Sequence, residues 1–424
     1  MADAPADAIP NPTPAPGAAS AEETDMTTSF WHGFADMHAV KDAELIIREG
    51  DGAWVTDVAG NRYLDATAAL WYTVAGYGRD EIADAAAAQM KRISAYSSFG
   101  AYTTEPTVEL AARIAAMAPM PNAAVFLTSG GSESVETAGK LARRYWDVLG
   151  KPEKRIIVNR EHGYHGMAAL GTSLAGIPSN KAGYGTLVPD TLQVGVHDLD
   201  AVESMFAARA GEIAAFIAEP VVGAGGVIPP QDGYFAGLAQ LCRQFDVLLI
   251  ADEVITGFGR TGQWWGSQRY GFEPDMITFA KAITSGYVPL GGVVVGPRVR
   301  APFWDEPFPG AIFRHGYTYS GHATACAAAM ANLDILERED LVGRVRTLEP
   351  VVEREMGRLA TSPLVGEVRT VGLTACVELS AEARAANPGV VDAVVGASRR
   401  HGVLTRNVRG VGLHFSPAFV ISEE

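Results

Sequence analysis

Positive charge is in short supply in this 424-residue sequence: 34 lysines and arginines face 49 acids, a formal net charge of −15. That balance repels phosphate backbones and removes the term on which non-specific nucleic-acid binding depends, so DNA and RNA are not expected partners. Long apolar runs are also missing. Although 48% of the chain is apolar, no run reaches the roughly 18 residues that a spanning helix needs, and no membrane partner is expected. Cysteine is limited to Cys242, Cys326 and Cys376, an odd number at wide spacing. This suits neither a disulfide framework nor a thiolate zinc site, and points to a reducing, cytoplasmic setting. No lysine or arginine precedes Lys41. The opening stretch, 1–28, therefore lacks the early charge of a secretory or mitochondrial address, and its alanine and proline content is that of a disordered extension.

Length and pattern supply the frame. A chain of 424 residues exceeds what one hydrophobic core usually organises, so two or three lobes are expected. Residues 51–65, DGAWVTDVAGNRYLD, read as two short strands around an Ala-Gly-Asn turn. Beyond about residue 107, amphipathic helices alternate with short apolar runs at 124–129, 155–159, 214–220, 247–253, 276–282 and 291–296. Such alternation indicates an α/β fold: a mostly parallel sheet with helices on both faces, which binds ligands beyond the carboxyl ends of its strands. After Cys326 the chain reads as helical to about Val351, and the strand-like pieces that follow suggest a smaller α+β domain.

Six of the seven lysines have polar or charged neighbours, whereas Lys281 follows the apolar run MITFA at a strand end. An ammonium there is partly desolvated, which lowers its pKa and makes it a candidate Schiff-base nucleophile; the plainer reading is a lysine snorkelling from a strand end. The run VLLIADE ends in Asp252 and Glu253, where a strand meets the ligand side. Glu253 reads as a helix cap or salt-bridge partner. Asp252, placed beside an aromatic nitrogen heterocycle, would keep that ring protonated, as pyridoxal phosphate requires. In TSGGSESVETAGKLARRYW, 128–146, two glycines precede a helix expected to open at Ser132, with Val135, Ala138, Leu141 and Tyr145 at helical spacing. Free amides and the helix dipole there offer a phosphate site, provided that Glu133 and Glu136 turn away. Tyr164 lies between glycines and beside His162 and His165. It offers a stacking face, and the histidines offer a competing metal pair that lacks a third ligand. Gly257, Gly259 and Gly262 match a dinucleotide fingerprint and raise an NAD-dependent oxidoreductase, but no long helix is expected after them. GTSLAG, 171–176, falls short of a nucleophile elbow because Ala175 stands where the second glycine belongs.

Together these segments resemble the class III pyridoxal-phosphate aminotransferases, or omega-transaminases, from about Trp31 to the C-terminus. IADEVITGFGRTG with a lysine 29 residues after the aspartate, SGGSESVET, YHG, AEPVVGAGG, HGYTYSGHA and GVLTR occur in the family's order. The resemblance implies PLP fold type I, with a large cofactor-binding domain over 76–335 and a small domain built from both chain ends, 29–75 and 336–424. It implies pyridoxal 5'-phosphate as cofactor, Lys281 as its Schiff-base lysine and proton carrier, and Asp252 on the pyridine nitrogen. Tyr164 and Val254 would cover the two ring faces, Gly131 and Ser132 would hold the phosphate, and Glu219 would be a nearby acid. Thr318 would reach the phosphate of the neighbouring subunit, which implies a homodimer with shared active sites. Trp71 and Tyr72, with Phe99 from the partner, would wall the pocket, and Arg406 would receive a substrate carboxylate. The implied reaction moves an amino group from a primary amine or omega-amino acid to a 2-oxo acid such as pyruvate; an aminomutase of the same fold is the alternative. Gly130 departs from a usual serine, Val135 from a usual asparagine and Gly100 from a usual aromatic, which bears on the phosphate site and on pocket width.

Overall fold

Alternate residues of short, fully buried strands face opposite ways and meet helices on either side. Leu248 and Ile250 join one apolar cluster, with Ile157, Ala215, Ile217 and Met276, while Leu249 and Ala251 join another, with Val158, Phe216, Ile277 and Phe279. A strand buried on both faces has no polar alternation, which is why these segments read as continuous apolar runs. The helix Gly131–Val148 covers the first face through Val135, Ala138, Leu141 and Trp146. Tyr234–Gln244 and Ala323–Arg338 cover the second through Phe235, Leu238, Ala329 and Leu333.

The computed structural model describes residues 29–41, 43–305 and 308–423; the stretch 1–28, expected to be disordered, lies outside the described residues. Two compact units divide the chain, Met1–Ile47 and Arg48–Glu424. In the first, Asp36 caps the short helix Met37–Val40 by accepting from the His38 amide. The second holds a seven-stranded sheet in the order Ala124–Thr128, Gly291–Val295, Met276–Phe279, Leu248–Asp252, Ile213–Ala218, Ile156–Arg160, Thr191–Val194. Only Gly291–Val295 runs against its neighbours. The six strands expected from apolar runs are present. Thr191–Val194 was not foreseen, because an edge strand with a half-exposed pattern carries no such run.

The hairpin expected within 51–65 is present as Trp54–Asp57 against Arg62–Asp65. Val403–Leu404 pairs in parallel with Arg62–Asp65, and one residue later Arg406–Val408 joins a separate antiparallel sheet with Gly412–Phe415, Thr374–Leu379 and Val365–Val371. Arg406 therefore sits where the chain passes from one small sheet to the other. Among the described residues no helix is long and apolar enough to cross a membrane.

Candidate active site

Six strands of the large sheet run in one direction, and the carboxyl ends of five of them lead into Gly130–Gly131, Tyr164–His165, Glu219, Asp252 and Lys281. Asp252 is buried at the last position of Leu248–Asp252. Its Oδ2 lies 2.7 Å from His165 Nδ1, and its Oδ1 accepts from Thr278 Oγ1 at 2.9 Å and from the Val254 amide at 3.2 Å. These contacts fix the plane of the carboxylate. Glu219 accepts from the Tyr164 amide through Oε1 and from the Gly223 amide through Oε2, each at 2.9 Å, so it anchors the loop that carries Tyr164. Burial pushes the Glu219 pKa up, with His165 opposing that shift and Asp252 adding to it.

Lys281 follows the strand Met276–Phe279 and opens a short 3₁₀ turn. Among the described residues its amine forms no hydrogen bond and no ion pair. Loss of water around the ammonium holds its pKa down to about 8, while Asp252 and Glu219 pull it back up. Its Nζ lies 5.2 Å from the centroid of the Trp71 ring. Trp71 itself stands at φ 65, in a turn where Ala68 and Ala69 are also left-handed. Asp65 holds that turn by accepting from the Thr67 and Ala69 amides at 3.0 and 2.6 Å, and from Tyr77 Oη at 2.8 Å.

The helix Gly131–Val148 makes its first hydrogen bond from Ser134 N to Gly130 O, leaving the amides of Gly131, Ser132 and Glu133 without helical acceptors. A Cβ on Gly131 would stand 2.9 Å from Val254 Cγ1, and one on Gly166, at φ 86, would stand 2.5 Å from Ser132 Oγ. Both glycines let neighbouring chain close in on this helix end. The acids of the first turns point elsewhere: Glu133 accepts from the Ser129 amide at 2.7 Å, and Glu136 accepts from the Leu170 and Gly171 amides at 2.6 and 3.2 Å. Free amides at a helix N-terminus, an oriented buried carboxylate and an unpaired amine are the donor set that a phosphorylated pyridine aldehyde needs, and the residues present fit that group.

Lys281, Asp252, Glu219, Tyr164, Val254, Gly131 and Ser132 are thus brought together, with Trp71 beside the lysine. Tyr72 packs against Gly286 in the segment after Lys281, leaving no room for a side chain there. The Arg406 guanidinium lies 4.2 Å from the centroid of the Trp71 ring. Among the described residues no hydrogen bond or ring contact joins Phe99 or Thr318 to this set, although Tyr317 Oη, next to Thr318, donates to Glu133 O at 3.3 Å. Phe99 is half exposed and borders a cleft of about 830 Å3 with Phe126, Lys140, Phe313 and His315, and Thr318 is exposed in the loop before Ala323–Arg338.

Glu253 is a helix cap: it accepts from the Gly266 and Ser267 amides at the start of Gly266–Arg269. Gly257–Gly262 is a run of turns rather than the opening of a helix, which removes the basis of the dehydrogenase reading. Its Arg260 is wholly buried and donates to the carbonyls of Leu373 and Pro417. Ser173 of GTSLAG donates to Ala169 O and accepts from the Val188 amide, so its hydroxyl is engaged in structure. His165 turns to Asp252, and among the described residues no group of three His, Cys, Asp or Glu could hold a metal. Two residues at the site escaped the sequence reading of roles: His165, seen only as a neighbour of Tyr164, and His414, which lies within GVGLHFSPAF and carries no motif.

The family description "Aminotransferase class-III" matches residues 37–424. The putrescine–pyruvate aminotransferase of Pseudomonas aeruginosa is 41% identical over 355 residues, covering 79% of this chain and 76% of that protein. Among solved structures, a transaminase from the marine bacterium Virgibacillus is 40% identical, with a TM-score of 0.88 over 93% of each chain. A thermostable (S)-enantioselective omega-transaminase from Thermomicrobium roseum is 39% identical, with the same TM-score over 92% of each chain. With the family matched along nearly the whole described chain and the same fold in omega-transaminases of about two-fifths identity, this chain belongs to the class III aminotransferases.

Proposed function

We propose that this chain is a pyridoxal-phosphate-dependent omega-transaminase that moves an amino group from a primary amine, diamine or omega-amino acid to a 2-oxo acid such as pyruvate. The observation that carries this reading is the unpaired Lys281 amine, held down to about 8, at the same strand ends as the oriented Asp252 and the open helix terminus at Gly131. When bound, pyridoxal phosphate supplies the carbonyl that takes the amino group and the ring that draws off electron density. Gly131 and Ser132 would hold its phosphate, Asp252 would keep a proton on the ring nitrogen, and Tyr164 and Val254 would pack against the ring. Lys281 Nζ would take a proton from the donor carbon as base and deliver it, as acid, to the cofactor carbon. Glu219 steadies the Tyr164 loop. Trp71 and Tyr72 exclude water, and Arg406 receives the acid's carboxylate by a bidentate contact.

Thr318 and Phe99 act from the partner subunit in a homodimer with shared sites; that neither has a hydrogen bond or ring contact with Lys281 or Asp252 among the described residues supports this. The parallel pairing of Val403–Leu404 with Arg62–Asp65 supports a small domain made from 29–75 and 336–424 around the large domain 76–335. Three buried, unbridged thiols support a reducing, cytoplasmic setting. The likeness to the putrescine–pyruvate enzyme places diamines first among donors to test. Purified protein given pyruvate and, in turn, putrescine, 1-phenylethylamine and β-alanine is expected to form alanine with at least one donor, and Lys281→Ala with none. Borohydride should fix the cofactor to Lys281. No alanine from any donor, or a label on another lysine, sinks the reading; rearranged donor without alanine points to the aminomutase.

A further inference from the structure

Around Trp71 the buried polar atoms do not balance. Arg406 and His414 face each other in the antiparallel pairing of Arg406–Val408 with Gly412–Phe415, so their side chains leave the sheet on the same face. Both reach Trp71: the guanidinium carbon and the imidazole centroid each lie 4.2 Å from its ring. His414 is wholly buried, yet neither of its ring nitrogens has a partner. Trp71 Nε1 and Arg406 Nε also lack partners, and among the described residues the Arg406 side chain forms no hydrogen bond or ion pair. Buried polar atoms are normally paired, so four unpaired ones around a single ring mark a place built for a ligand.

Charge decides what kind of ligand. The groups acting on His414 are Arg406, Arg260 and Lys281, all cationic, and together with burial they keep its imidazole neutral. Asp252 and Glu219 offset Lys281, and Asp65 offsets Arg260. No carboxylate is among the groups that act on Arg406: burial lowers its pKa and the nearby Tyr164 phenol opposes that shift. An ammonium is repelled by this set, and an apolar group leaves every nitrogen unpaired. An anion with two acceptor oxygens satisfies both the charge and the donors.

We propose that His414 is a specificity-determining residue: its ring N–H, together with the Arg406 guanidinium and Trp71 Nε1–H, receives the carboxylate of the acid substrate. The proposal rests on the transaminase reading for the identity of the acid, and on the unpaired nitrogens for the residue. Arg406 supplies charge, and His414 adds a directed donor that separates a carboxylate from an uncharged group of the same shape.

The test uses holoenzyme and propanoate, an acid without a carbonyl to react, with binding read by calorimetry and propanamide as the uncharged control. His414→Phe keeps a ring against Trp71 and removes both nitrogens, while His414→Asn keeps a side-chain N–H. Propanoate binding is expected to weaken about tenfold or more in His414→Phe and to stay within about threefold of wild type in His414→Asn. Propanamide binding should differ little between them, and the KM for pyruvate should rise far more than that for 1-phenylethylamine. Thermal melting checks that each variant folds, and His414→Met replaces the phenylalanine variant if that one does not. Propanoate binding equal to wild type in the folded variant overturns the proposal, as does an equal loss for propanoate and propanamide. If wild type forms no alanine from any donor while propanoate binding still depends on His414, the transaminase reading falls and the carboxylate receptor stands. If alanine forms but that dependence is missing, only the receptor falls.

Discussion

At Lys281 the backbone takes φ 51, a left-handed conformation that costs a residue with a side chain about 1–3 kcal/mol. Trp71, which faces its amine, is held at φ 65, so two neighbouring site residues carry the same kind of strain. The amine's pKa of about 8, against 10.5 for an ordinary lysine, has a kinetic consequence because only the uncharged amine attacks a carbonyl. In cofactor-free protein, capture of pyridoxal phosphate should speed up roughly tenfold per pH unit below about 8 and level off above it. Stopped-flow absorbance across this range checks the expectation. A rate still climbing near pH 10 would describe an exposed lysine instead. Motif reasoning could find Lys281, because a lysine after an apolar strand stands out against its neighbours. It could not find the partner of Asp252, since His165 and Asp252 are 87 positions apart and meet only when their two strands have taken places on either side of Ile213–Ala218.

Short elements after the strands are set by single acids. Glu253 accepts from the Gly266 amide, from Ser267 N and Oγ at 2.8 and 2.6 Å, and from Thr256 Oγ1 at 2.9 Å. Burial pushes its pKa up, and those donors push back. It thereby ties the turns through Gly257–Gly262 to the strand that presents Asp252. Glu253→Ala leaves buried donors orphaned and should cost about 3 kcal/mol of stability, whereas Glu253→Gln keeps one acceptor and should cost about 1. Denaturant midpoints of the three proteins measure this, and a neutral alanine substitution would mean that water replaces the carboxylate. The capping role was open to inference from an acid just past a strand. The target was not, because Gly266 lies 13 residues on, across turns whose path the sequence does not reveal.

For the whole molecule, the part that Thr318 would play in a shared site bears directly on assembly. The cleft beside Phe99 lies near exposed Tyr96, Tyr102, Ile312 and Tyr319, an apolar surface of the kind that obligate interfaces bury. If each site takes Lys281 from one chain and Thr318 from the other, two inactive variants should complement. Lys281→Ala has no amine, and Thr318→Glu repels the phosphate held by its partner. Mixed and reassociated, half of the dimers carry one intact site, and activity should recover to about a quarter of wild type. No recovery in dimers shown to have exchanged chains would place Thr318 and Lys281 of one chain in the same site.

Six strands of the large sheet, the helix that follows Gly130 and the placing of Lys281 and Asp252 at strand ends follow from the sequence alone. Burial on both faces writes a strand as an uninterrupted apolar run, and a helix N-terminus after glycines is a local pattern. What only the tertiary structure decided is which side chains face one another. The edge strand Thr191–Val194 pairs on one side only and has too little burial to leave a pattern. His414 looks like any polar residue in a short strand until the ladder sets it opposite Arg406 and packing closes both against Trp71. Local runs record burial, which each residue undergoes by itself, whereas a site depends on pairings between distant segments, and these arise only when the strands have found their order in the sheet.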